Sequence, residues 1–215
     1  FDWVRAPYRL MHAVSQYQGT LVWLPNFAYN FCAQKIRPRH MEGIDLSSWR
    51  AVINCSEPMR HESQQQFLEA FAPYGFQERA LATSYAMAEN TFAVTQGGID
   101  EPVRIDPVDR ESVQVDRIAR PAREGKPQLL MVSAGKPIPH THVKVVDPEG
   151  NILPDRQIGE IAVQSNCMLT EYYHRPAETA AALVDGWYLT GDFGYLVDGE
   201  VFITGRKKDL IIVGG

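Results

Sequence analysis

Over the first hundred residues, short apolar runs alternate with amphipathic stretches. Residues 20–24 are β-prone and are stopped by Pro25; Asn26 then stands where it could cap a helix through Lys35, with Phe27, Ala28 and Phe31 on one face. Residues 50–55 predict a second strand. Residues 60–72 predict a helix whose Phe67, Leu68 and Phe71 recur at the three- and four-residue spacing of a buried stripe. Residues 80–86 and 91–95 read as two further strands. Strands alternating with helices imply a mostly parallel sheet covered by helices. In such sheets ligands sit beyond the carboxyl ends of the strands, which directs attention to the turns just after Cys55 and Thr83.

From Leu129 the period becomes that of β-structure. Residues 129–133, 143–146, 160–164, 187–190, 200–204 and 210–213 are strand candidates, and Asp198-Gly199 between two apolar runs is a two-residue hairpin signal. A short helix opened by Pro176 and closing near Gly186 interrupts them. Between the two patterns, residues 101–126 are crowded with both signs of charge and broken by Pro102, Pro107 and Pro121, so they read as an excursion over the surface. The expected fold class is α/β: a mostly parallel sheet lobe with helices, followed by a small antiparallel β-barrel-like subdomain. The expected division is 1–100 for the α/β part, 101–128 for the charged segment, 129–205 for the β part and 206–215 for a hinge leading onward.

Composition narrows the classes. The 215 residues are 45% hydrophobic and 22% charged with a net charge of −5, a balance that suits a globular protein and argues against nucleic acid as the main partner. No apolar run is long enough to span a bilayer. The opening Phe-Asp-Trp-Val-Arg has neither the basic nor the apolar part of a secretory signal, and Cys32, Cys55 and Cys167 are odd in number and far apart; the expected location is the cytoplasm. Residue 1 is Phe, and the chain stops at two glycines after an apolar run, so a fragment of something longer is expected.

Phosphate loops, nucleophile elbows and zinc-protease motifs are absent. His140 and His142 would share a strand face but have no third ligand nearby. Three constellations remain. Asn54-Cys55-Ser56-Glu57-Pro58 is a polar turn at a strand end that could read the edge of a heterocycle, or could simply open a helix with Ser56 or Glu57 as its cap. In Ser84-Tyr85-Ala86-Met87-Ala88-Glu89-Asn90 the Tyr offers a stacking face and the carboxylate could hold Mg²⁺; an acidic first turn of a helix is the plainer account. In Tyr188-Leu189-Thr190-Gly191-Asp192-Phe193-Gly194-Tyr195, followed after the hairpin by Gly205-Arg206-Lys207-Lys208-Asp209, the Asp could accept both hydroxyls of a ribose diol and the Arg could add positive charge. A turn Asp paired with a surface Arg is the plainer account there.

Taken in order with Pro25–Asn30, Leu46-Ser47-Ser48-Trp49-Arg50, Phe71-Ala72-Pro73-Tyr74-Gly75, Val132-Ser133-Ala134-Gly135 and Gly159-Glu160-Ile161, these pieces resemble the adenylate-forming superfamily of acyl-CoA synthetases, adenylation domains and luciferases. The fatty acyl-AMP ligase branch is the most similar, and the resemblance covers practically the whole chain. It implies that Ser56, Glu57 and Pro58 line an adenine pocket, that Tyr85, flanked by Ser84, Ala86 and Met87, stacks on adenine, and that Glu89 holds Mg²⁺ near the ATP phosphates. It implies further that Asp192 binds both ribose hydroxyls, that Ile203 and Arg206 flank the ribose, and that Lys208 is the hinge of a C-terminal domain. Residues 26–32 match a helix beside an acyl tunnel. Glu89, Asp192, Arg206 and Lys208 are the residues it assigns to catalysis.

Departures from the family pattern are Ala86 for Gly and Ala88 for Thr, and the phosphate loop and the C-terminal Lys are missing, so this piece alone is expected to adenylate poorly. The implied reaction is attack of a fatty carboxylate on the α-phosphate of ATP, giving acyl-AMP and pyrophosphate, with ATP/AMP and Mg²⁺ as cofactors. Because residues 101–126 fall where acyl-AMP ligases carry an insertion, the implied acceptor is a carrier-protein phosphopantetheine thiol, with free CoA less favoured. An acyl-CoA synthetase and a non-catalytic adenylate-fold binding module remain the alternatives.

Overall fold

A computed structural model describes residues 2–99 and 101–207. Lys208 and the strand expected over 210–213 lie outside the described residues. The chain divides into two compact units, one running to Ser84 and including Gly97–Arg104, the other made of Tyr85–Gln96 and the residues from Ile105 onward.

In the first unit, helices α1 (Asp2–Arg5) and α2 (Tyr8–Tyr17) precede strand β1 (Leu21–Pro25), helix α3 (Asn26–Lys35), strand β2 (Ala51–Cys55), helix α4 (His61–Phe71) and strand β3 (Leu81–Thr83). The strands pair in parallel in the order β1-β2-β3. β2 is buried at all five positions, as a central parallel strand covered on both faces must be. The stripe on α4 delivers Phe67 and Phe71 to the core, where Tyr29, Trp49 and Phe76 also pack. Tyr29 is fully buried, and its hydroxyl donates to the Val52 carbonyl at 2.8 Å, which satisfies the phenol inside the core. Helix α2 has no counterpart in the predicted elements; it buries only Met11 and Val14. Asn26 does not cap α3. It is the helix's first residue and its amide is buried, for a reason that belongs to the site below.

The second unit begins with β4 (Thr95–Gln96) and continues through β5 (Ile105–Asp109), β6 (Gln128–Val132), β7 (Lys136–Pro137), β8 (Thr141–Val146), β9 (Gly159–Ser165), α5 (Pro176–Ala182), β10 (Leu183–Val184), β11 (Trp187–Val197) and β12 (Glu200–Arg206). β10-β11-β9-β8 form an antiparallel sheet with β12 also on β11, while β4-β7 and β5-β6 are separate antiparallel pairs. The hairpin β11-β12 turns on Asp198 and Gly199, both at positive φ (52° and 79°), the geometry of a two-residue turn that follows strand twist. The architecture is therefore α/β, a parallel sheet with helices plus an antiparallel β-unit.

Four expectations need correction. The strand expected over 80–86 is only Leu81–Thr83, and the one over 91–95 shrinks to Thr95–Gln96, because residues 88–90 wind into a 3₁₀ turn. His140 sits in a turn at φ 63°, off the strand that carries His142, so the two share no strand face. Residues 101–126 are not merely an excursion: β5 pairs with β6 over five residues, and Val108 and Ala119 are fully buried against Tyr195 and Phe202. The charges of this segment mask its packing, because the apolar positions are few and separated by prolines.

Candidate functional site

In the first unit the candidate residues lie in the turn after β2. Asn54, with no exposed surface, donates through its amide to Asn26 Oδ1 at 3.1 Å; the same oxygen accepts the Arg60 N–H, and Asn26 Nδ2 donates to Ser63 Oγ. This chain of pairs joins the end of β2 to the starts of α3 and α4. Ser56 is held at φ 69°, and Ser56, Glu57 and Pro58 are exposed. Glu57 does not cap α4. Its Oε2 accepts the Phe27 N–H at 2.9 Å, a carboxylate on the first turn of α3, where unpaired N–H groups favour negative charge. Ser84, buried, extends the edge of β3 by donating its N–H to the Asn54 carbonyl at 3.0 Å.

The second unit carries the other candidate residues. Tyr85 is pinned through its backbone: its N–H donates to Thr95 Oγ1, its carbonyl accepts from Val94 and Thr95, and Thr95 Oγ1 in turn donates to the Ala134 carbonyl. Ala86 bridges Ala93, and the Met87 N–H donates to the Phe92 carbonyl, so residues 85–95 fold back on themselves. The Tyr85 hydroxyl donates to Asp192 Oδ2 at 2.5 Å, and Arg206 Nε donates to Asp192 Oδ1 at 2.8 Å. Residues 107 and 14 positions away thus meet on one carboxylate. Burial first, then the Asp192 charge, raises the pKa of Tyr85 well above that of an ordinary phenol, so it stays a neutral donor.

A strand irregularity brings Asp192 to this position. β11 slips register against β9 between Leu189 and Phe193, and Gly191 takes φ 70°, a conformation that glycine adopts without penalty. The Gly191 N–H donates to Glu160 Oε1, whose other oxygen accepts Lys207 Nζ at 3.1 Å, while the Asp192 N–H and the Ile161 carbonyl are tied by Thr190 Oγ1. Arg206 closes β12 opposite Asp192, and Ile203 lies opposite Gly194.

Glu89 ends up beside two tyrosines. Tyr172 donates its hydroxyl to Glu89 Oε1 at 2.9 Å, and the Tyr188 hydroxyl lies 2.9 Å from that of Tyr172. Burial is the first cause of the raised pKa of each phenol. Among the described residues no cluster of three or more His, Cys, Asp or Glu could hold a metal ion. One carboxylate does not suit a resident ion, but it fits Mg²⁺ that arrives on phosphate oxygens and keeps several waters. Tyr172 lies outside every motif read from the sequence, whereas Tyr188, Glu160 and Thr190 fall inside such motifs but carry no assigned role there. Tyr172 is 83 positions from Glu89, and no local spacing signals that meeting.

A parallel sheet with helices and an antiparallel β-unit make up the fold of the adenylate-forming class. The AMP-binding enzyme family matches residues 2–173, and the chain belongs to that family. It is 37% identical over 221 residues to the medium-chain-fatty-acid–[acyl-carrier-protein] ligase JamA of Moorena producens, covering 97% of this chain and 37% of that protein. It is 34% identical over 236 residues to the long-chain-fatty-acid–AMP ligase FadD32 of Mycolicibacterium smegmatis, covering 99% of this chain and 38% of that one. The crystal structure of a fatty acyl-adenylate ligase from L. pneumophila in complex with acyl adenylate and pyrophosphate superposes with a TM-score of 0.91 at 34% identity, over 98% of this chain and 38% of its own. The chain thus spans under two-fifths of the length of each of these proteins.

Proposed function

We propose that the protein carrying this chain activates a fatty acid, or a related carboxylic acid, as its acyl adenylate, releasing pyrophosphate and passing the acyl group to the phosphopantetheine thiol of a carrier protein. The observation that carries this reading is the meeting of Tyr85 and Arg206 on the buried carboxylate of Asp192, which gives two hydrogen-bond acceptors to a diol once those partners exchange. Family membership and the similarity to fatty acyl-AMP and acyl-carrier-protein ligases support the substrate class.

In this reading Asp192 holds the ribose, with Arg206 and Ile203 at its flank. Tyr85 offers its ring to adenine, with Ser84, Ala86 and Met87 beside it in the chain. Ser56, Glu57 and Pro58 read the base edge, and Lys208 is the hinge. Glu89 holds Mg²⁺, which when bound neutralises phosphate charge. The substrate carboxylate forms the new bond to the α-phosphorus as the bond to pyrophosphate breaks. No side chain is needed as a general base, because the nucleophile is already ionised at neutral pH; catalysis comes from positioning and charge neutralisation.

Residues 101–128 restrain the C-terminal domain in this proposal and disfavour CoA. An ion pair between the buried Asp106 and the partly covered Arg156 supports a fixed rather than a loose segment. The three free thiols go with a cytoplasmic setting. No described helix is long and apolar enough to cross a membrane.

The test is mass spectrometry of the full-length protein's products from ATP, Mg²⁺ and a fatty-acid panel, with CoA or with a phosphopantetheinylated carrier protein. Acyl-AMP and the carrier thioester are expected. Efficient acyl-CoA formation would overturn the acceptor, and absence of any adenylate, with ATP still bound, would make the protein a binding module. Deleting 101–126 is a poor substitute for this test, because it removes Val108 and Ala119 from the core.

A further inference from the structure

Glu89 is gripped from outside its own loop, and in a definite order. Tyr172 has one hydroxyl proton and Glu89 Oε1 can only accept, so that proton points at the carboxylate. The Tyr172 oxygen is then left as an acceptor, and the Tyr188 hydroxyl at 2.9 Å must donate to it. The chain runs Tyr188 to Tyr172 to Glu89, each bond polarising the next. Tyr188 is a buried residue of β11, so the far end of the chain is anchored in the sheet.

The backbone makes the same connection. The Leu169 N–H donates to the Glu89 carbonyl at 2.7 Å, Thr91 Oγ1 donates to the Cys167 carbonyl at 3.0 Å, and Ser165 Oγ bonds Asn90 Oδ1. Residues 165–172 therefore hold the 3₁₀ turn at its backbone and at three side chains. A core that needed only packing from Tyr172 would not require its hydroxyl to lie on a partly exposed carboxylate.

We infer that Tyr172, backed by Tyr188, is a positioning residue that fixes Glu89 Oε1 and thereby aims the carboxylate at a nucleotide-borne Mg²⁺. The inference rests on the role proposed above for Glu89. Mg²⁺ tolerates little departure from octahedral geometry, so a carboxylate already held in one rotamer loses less freedom on binding. Partners that hold a metal-binding carboxylate typically change metal affinity or activity by about 10–100-fold when removed.

The test uses the full-length protein with a non-hydrolysable ATP analogue, Mn²⁺ titrated by electron paramagnetic resonance, and in parallel the Mg²⁺ dependence of ATP–pyrophosphate exchange. Tyr172→Phe, which removes only the oxygen, is expected to weaken Mn²⁺ binding by about tenfold and raise the Mg²⁺ needed for half-maximal exchange, with AMP affinity unchanged. In a Glu89→Gln background Tyr172→Phe should cause no further loss. If Glu89→Gln weakens Mn²⁺ binding while Tyr172→Phe does not, the positioning role is overturned and the role of Glu89 stands. If Glu89→Gln itself leaves Mn²⁺ binding unchanged, the role of Glu89 fails first. Should Tyr172→Phe not fold, Tyr188→Phe carries the test, because it leaves Tyr172 and Glu89 in place; a smaller weakening supports the chain, and none overturns it.

Discussion

Two buried carboxylates of the second unit are built from the same parts and are suited to different ends. Asp192 takes a tyrosine hydroxyl on one oxygen and an arginine on the other; Asp106 is likewise met by a tyrosine, Tyr195 at 2.8 Å, and an arginine, Arg156 at 3.1 and 3.2 Å. Each aspartate side chain is 7% exposed. The arginines differ. Arg156 is 27% exposed, forks over both oxygens and also donates to the Ala119 carbonyl, so it is locked. Arg206 is 69% exposed and meets Asp192 through Nε at the last residue of a strand. A carboxylate whose cation forks over both its oxygens and is mostly covered closes a core, whereas one beside a largely exposed cation is better placed to take a ligand. The parts alone do not separate a site from a staple; the exposure of the cation is what favours Asp192 as the proposed site.

Breaking the Asp192 triad should have the largest effect. On the proposed role, Asp192→Ala would remove two charge-assisted hydrogen bonds to the nucleotide, each worth roughly 1.5–3 kcal/mol, so ATP–pyrophosphate exchange in the full-length protein should fall by about a hundredfold to ten-thousandfold. Normal exchange in a folded Asp192→Ala protein would remove the ribose role. Breaking the Asp106 triad should move the other observable. Asp106→Ala leaves Arg156 and Tyr195 facing an empty site and should cost roughly 3–5 kcal/mol of stability, read as a lower urea midpoint. Below that transition kcat/KM for ATP should hold. Loss of ATP use without loss of stability would mean that the two triads are not the site and staple argued here.

The same contrast separates the legible residues from the illegible ones. Asp192 can be read from the chain because a Gly-containing turn and a hairpin bring Arg206 back within 14 residues, a local geometry that sequence carries. The parallel sheet is legible for a similar reason: β2 is a short β-prone run, and its polar turn comes at once after it. Asp106 is not legible. Its partners lie 50 and 89 positions away, and it sits among charges and prolines that elsewhere mark a solvated loop. Asn26 looks like a cap because short polar side chains favour caps, and here the pull of Asn54, Arg60 and Ser63 outweighs that tendency. Sequence shows the ring of Tyr85 and hides its hydroxyl, whose bond to a residue 107 positions away comes from tertiary contact and from nothing local.

The smallest effect sharpens the comparison from the tyrosine side. Burial, then the charge of Asp192, raises Tyr85 above its ordinary 10.0, so the folded protein keeps a proton that the unfolded chain gives up. A raised folded value means that this contribution is fully present below pH 10 and is lost as pH climbs beyond it. Each such tyrosine steepens the alkaline fall by up to about 1.4 kcal/mol per pH unit. Tyr29 in the first unit and Tyr188 in the second are raised in the same direction, so the fall persists in any single variant. Tyr85→Phe should therefore lower the stability of the full-length protein near neutral pH through the lost Asp192 bond, yet show a shallower decline than the parent between about pH 10 and 11. The slope of the urea midpoint against pH is the quantity to compare, because it cancels the loss common to every pH. Parallel slopes for parent and variant would mean that Tyr85 ionises as freely folded as unfolded, and that its hydroxyl is not held on Asp192 in solution.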